Sequence, residues 1–172
     1  MSNINSLNLF RKILSYFPLI LLFVASLNEF DFNYLNLKYF SFNFIFILIF
    51  YWSLKKSKSL GYGFIFTAGL INDVVTGIPL GVSSLLYLLI CGFAKYFRNI
   101  TLRPNLIKDW IFFLFTILVV NSISFILLNF VFSYQMNYNE TLVNILFTFL
   151  FYIVFSYLFS ILNKFIYGTL NA

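Results

Sequence analysis

Asp73 falls inside a strongly apolar run, and four-residue spacing puts Gly69, Asp73 and Gly77 in one line on a helix. A carboxylate at membrane depth is costly unless it faces protein, water or a partner, so its chemistry must be specific. Three kinds fit. It could carry a proton or cation, it could recognise a small transported substrate, or it could cap the turn that follows it. That turn, Thr76-Gly77-Ile78-Pro79-Leu80-Gly81, is short, apolar and punctuated by glycine and proline. Asp and Asn readily bond local backbone amides at turns, and no second acid or basic relay stands within the apolar runs. The residues therefore favour a cap on the amides of Thr76 and Gly77, in a groove where another backbone can approach. On that reading Asp73→Asn is mild and Asp73→Leu is not, because Asn keeps an acceptor oxygen.

Other chemistries lack their residues. The chain has no His and one Cys, Cys91, which excludes an internal disulfide and imidazole or thiol-rich metal sites. No Ser/His or Cys/His pair, phosphate loop or metal-ligand spacing is found. Intramembrane proteolysis would need a second aspartate, or a Ser with His or Lys, in another span. The expectation is a protein that is not an enzyme and uses no cofactor or metal, with Cys91 a small packed side chain.

The elements that must position Asp73 are apolar runs at 13–27, 39–54, 60–75, 80–97, 110–132 and 142–162. Of 172 residues, 62% are hydrophobic and 9% charged, with a mean hydropathy of +0.94. Charge averages about 25% in soluble domains. The expected fold is an all-α membrane protein of six transmembrane helices, with residues 1–172 forming a single integral membrane domain. If the first run crosses outward, ten of the eleven basic residues fall on the cytoplasmic side and only Lys38 lies outside. Positive-inside bias then sets both termini in the cytoplasm. The net charge of +6 is read as topology and contact with anionic membrane lipid, not nucleic acid.

Further expectations concern particular segments. Arg11, Lys12 and the short apolar stretch ending near Ser26 resemble a signal peptide, but retention as a first span with a mild kink at Pro18 is favoured. Six of the seven glycines lie between Gly61 and Gly92, so close backbone approach is expected along both arms of the 60–97 hairpin. Residues 97–109, with Arg98, Arg103 and Lys108 among apolar residues, read as an interfacial segment or a docking surface for a cytoplasmic partner. The outer loops are short, with Glu29, Asp31, Lys38 and Glu140 as their charges. The Asn residues of the spans, Asn43, Asn121 and Asn129 among them, share a chain-wide Asn and Phe bias and are not read as sites. The last two spans are read as nearly featureless.

The segment Gly69-Leu-Ile-Asn-Asp-Val-Val-Thr-Gly-Ile-Pro-Leu-Gly81 resembles MreD, the bacterial rod shape-determining membrane protein family, in a basic chain of fitting size. The resemblance implies a multi-pass protein of the bacterial inner (cytoplasmic) membrane and a non-enzymatic part of the elongation machinery for peptidoglycan synthesis. It implies as partners an MreC-like bitopic protein, an MreB-like filament and a peptidoglycan synthase pair. Gly69, Asp73, Gly77, Pro79, Leu80 and Gly81 would form its structural or partner-binding motif. Distant architectural similarity to the vitamin-binding subunits of energy-coupling-factor transporters supplies the alternative.

Overall fold

The computed structural model describes residues 16–27, 41–55, 60–101, 105–134 and 137–168, with side chains up to 164. Expectations resting on Arg11, Lys12, Glu29, Asp31, Lys38, Lys56, Lys58 and Arg103 lie outside the described residues. Among the described residues six α-helices follow one another, α1 (Phe17–Leu27), α2 (Phe44–Lys55), α3 (Tyr62–Thr76), α4 (Val82–Ile100), α5 (Leu106–Ile126) and α6 (Tyr138–Gly168). No strand occurs among the described residues. A π-helical turn, Leu127–Val131, extends α5. By length and apolar composition, Leu106–Val131 and Tyr138–Lys164 each suffice to cross a membrane, while α1, α2 and α3 are shorter apolar helices.

The sequence of α2, Phe-Ile-Phe-Ile-Leu-Ile-Phe-Tyr-Trp-Ser-Leu-Lys, is apolar on every side, and a helix of that kind belongs in the middle of a bundle. Eleven of its twelve residues are buried. Helices α1, α4 and α6 pack around it. Aromatic rings make much of the contact: Phe50 lies 5.1 Å from Phe113 of α5, which stacks on Tyr152 of α6 at 4.3 Å. Trp52 meets Phe159 at 4.4 Å, and Phe97 stacks on Phe112 at 4.3 Å between α4 and α5. Such pairs contribute about 0.5–1.5 kcal/mol each beyond the area they bury. The Phe enrichment thus has a use, since interlocked rings supply dispersion where lipid provides no hydrophobic drive between helices.

Side-chain contacts fix the helix directions. The C-terminal end of α2 meets the N-terminal end of α5 (Lys55 with Asp109) and the C-terminal end of α6 (Tyr51 with Asn163). At the same end Lys95 of α4 sits over the Tyr62 ring of α3 at 3.3 Å. Helices α2, α4 and α6 therefore run one way, and α3 and α5 the other. All five described basic residues, Lys55, Lys95, Arg98, Lys108 and Lys164, lie at this end; Asp73 and Glu140 lie towards the opposite one.

Helix α4 runs on to Ile100 and α5 begins at Leu106, so both ends of the 97–109 segment are helical. Two expectations change. Pro18 stands in the first turn of α1, where a missing N–H costs little, and makes no kink within the described helix. The last two helices are not featureless. Asn144 donates to Ser41 Oγ at 3.1 Å, Thr148 accepts from the Asn43 amide at 2.8 Å, and the π-helical turn interrupts the end of α5.

Candidate functional site

Helix α3 stops where Gly77 turns left-handed at φ 68°, and Gly81 takes φ 98° immediately before α4. L-residues avoid that region, which is why glycine serves at both positions. A helix N-terminus leaves its first amides without intrahelical partners, and Gly81 has no side chain to cap them. Asp73 supplies the cap from the neighbouring helix. Its Oδ2 accepts from the Gly81 amide at 2.6 Å and its Oδ1 from the Ser83 amide at 2.9 Å. The side chain is fully buried. Its charge also opposes the positive end of the α4 dipole.

The expected amides of Thr76 and Gly77 are not the partners. Helical side chains lean towards the helix N-terminus, so Asp73 points away from the next turn of its own helix and reaches the start of α4 beside it. The Thr76 hydroxyl instead returns to the Asn72 carbonyl at 2.8 Å.

Around the carboxylate the two helices are clasped at successive levels. A Cβ added at Gly69 would lie 2.4 Å from Ser84 Cα and 2.5 Å from Ser84 N, so only glycine fits against that backbone. Ser84 Oγ donates to the Phe66 carbonyl at 2.9 Å, and Asn72 Nδ2 donates to Ser83 Oγ at 3.1 Å. Close approach is confined to this point. Cβ atoms added at Gly63, Gly77, Gly81 or Gly92 would meet nothing within 4 Å. Gly77 and Gly81 serve backbone conformation, and Gly69 serves proximity. Pro79 is half-buried in the turn, whereas Leu80 is exposed at its tip. The motif residues thus meet in one hairpin, with Leu80 outermost.

A second ionic contact escaped the sequence reading, which took Asp73 as the sole acid within a span. Asp109 lies in the first turn of α5, is buried, and accepts from Lys55 Nζ at 2.6 Å. Each charge sits at the helix end that favours it, Lys55 at the C-terminus of α2 and Asp109 near the N-terminus of α5. A signal was available: Asn105 precedes an apolar run and an acid four residues later, the pattern of a helix start. Its Oδ1 accepts from the Ile107 amide at 3.1 Å.

Among the described residues no group of three His, Cys, Asp or Glu side chains could hold a metal. Cys91 is buried, with Ser53 Oγ donating to its Sγ at 3.4 Å. The arrangement holds helices together.

The model of the family described as rod shape-determining protein MreD matches residues 10–165, and the chain belongs to that family. This is a family of shape-determining membrane proteins, not one of known enzymes, and the match gives the transporter-subunit alternative no support. No curated protein and no solved structure matches the chain.

Proposed function

With membership of the MreD family as premise, we propose that this protein is a six-span scaffold of the bacterial inner membrane with both termini in the cytoplasm. It links an MreC-like bitopic protein to an MreB-like filament and a peptidoglycan synthase pair. The family match carries the reading. The orientation is supported by the five described basic residues at one end of the bundle, the end that positive-inside bias sets in the cytoplasm. The scaffold role is supported by the clasped α3–α4 hairpin, whose buried polar groups are spent on holding two helices in one register. Gly69, Asp73, Gly77, Pro79 and Gly81 would keep the hairpin rigid, and Leu80, 70% exposed, would be its contact with the bitopic partner.

The test is complementation of rod shape in cells lacking the family member, together with co-purification of the bitopic protein. Leu80→Asp should abolish co-purification and rod shape while the protein accumulates and melts normally. Rod shape and co-purification both kept at normal protein levels would remove the hairpin tip from the interface.

A further inference from the structure

At the end of the bundle that holds the hairpin turn lies a cavity of about 560 Å³, within the roughly 300–1,000 Å³ of small-molecule sites. Its walls come from the N-terminal ends of α2, α4 and α6 and the C-terminal ends of α3 and α5. We propose that this cavity is a binding site for an uncharged, hydroxyl-rich ligand of the sugar type.

The first observation is the backbone around it. Helix ends and irregular backbone carry polar groups without intrahelical partners, which a neighbouring cavity can use. Helix α2 starts at Phe44, and the non-helical residues 41–43 line this cavity. The π-helical turn at the end of α5 lines it through Leu128; such turns gather at functional sites. Ser133, next to the lining residue Tyr134, holds a positive φ of 53°, a conformation non-glycine residues take at a cost.

The second observation is the chemistry of the walls. Five asparagines line the cavity, Asn43 among them, and the side-chain amides of the other four each give an N–H to the protein. Asn72 donates to Ser83 Oγ, Asn121 to the Ile117 carbonyl, Asn137 to Glu140 Oε1 and Asn144 to Ser41 Oγ. Among the described residues no hydrogen bond reaches Oδ1 of Asn72, Asn121 or Asn137. Asn137 is exposed, while the half-buried Asn72 and Asn121 keep an amide oxygen that can accept from a ligand in the cavity. No Lys or Arg lines the cavity, and Glu140 is its only charged residue. An anionic ligand would find no countercharge there. Hydroxyl groups supply donors to such oxygens, and the exposed ring of Tyr134 on the wall suits the C–H face of a sugar.

Such a sugar could be free or the headgroup of a membrane lipid, and the test separates the two. The full-length protein is purified in a detergent without a sugar headgroup and placed in nanodiscs of phosphatidylethanolamine and phosphatidylglycerol. One arm adds a few per cent of glucosyl-diacylglycerol and the other adds maltose, with bound ligand read by native mass spectrometry. Saturable, one-to-one retention of either probe is the expected result, with the glycolipid arm identifying a lipid source and the maltose arm a free one. Asn121→Leu should weaken it about tenfold or more, the loss of roughly one well-made hydrogen bond together with the filling of space. Asn121 bonds only its own helix, so the bundle should survive; Ser124→Val, on the same wall, serves if it does not. Retention of neither probe, equal retention of phosphatidylethanolamine, or unchanged binding in folded variants would each overturn the proposal. None of these readouts depends on rod shape or on the bitopic partner, so failure here leaves the scaffold reading untouched.

Discussion

The two amides on Asp73 set a sharp expectation for Asp73→Asn. From sequence the change looked mild, because Asn keeps an acceptor oxygen. In the structure both carboxylate oxygens accept, Oδ2 from Gly81 and Oδ1 from Ser83. Asn can satisfy one amide only, and its own NH2 group then faces the other donor. A buried amide left unpaired costs about 1–3 kcal/mol, and losing the charge at the α4 N-terminus adds about 0.3–1 kcal/mol. Together these give roughly 1.5–4 kcal/mol for Asn. Asp73→Leu strands both amides, so roughly 2.5–7 kcal/mol is expected. At about 2–4 °C per kcal/mol for a chain of this size, Asn should lower the melting temperature by roughly 3–16 °C, and Leu by more. The buried thiol of Cys91 gives the assay, since a thiol-reactive dye reports its exposure as purified protein is heated. If Asn melts within about 1 °C of the wild type yet rod shape is lost, the capping argument fails. The charge itself would then be what a partner or ion requires.

Other expectations follow from the same contacts. Gly69→Ala should destabilise by about 1–3 kcal/mol, because its Cβ meets Ser84 backbone and the helices must part; a melt equal to wild type would show that the hairpin relaxes freely. Gly77→Ala meets no atom and pays only for its positive φ, about 1–2 kcal/mol, and Gly77→Asn should recover part of that. Lys55→Met leaves Asp109 buried without its cation and should cost about 3–5 kcal/mol, whereas Lys55→Met with Asp109→Leu should regain most of it. A double variant as unstable as the single one would mean the pair does not act as a unit. In a Cys91→Ser background, a cysteine at Asn139 should react with a membrane-impermeant reagent in intact cells and one at Asn99 should resist it; the reverse labelling would invert the proposed orientation.

The parts of this fold that were legible in the sequence depend on order along a single helix. Apolar runs gave the helices, charge at their ends gave the shared basic face, and the spacing of Gly69 and Asp73 pointed to close approach on one side of α3. What was not legible depends on how helices are rotated against one another. Spacing shows that Asp73 shares a face with Gly69, but only packing shows that the facing element is the first turn of α4, and so which amides are capped. Asp109 illustrates the same limit from the other side. It was given no role from sequence, because nothing in the order of residues 55 and 109 says that the two chain segments meet. The asparagines were set aside as compositional bias, and for any one of them that was reasonable. Their significance lies in convergence: Asn43, Asn72, Asn121, Asn137 and Asn144 come from three helices and two non-helical segments, and only the bundle brings them to one cavity. A polar residue on an apolar helix therefore has to be judged by what the other helices aim at the same space.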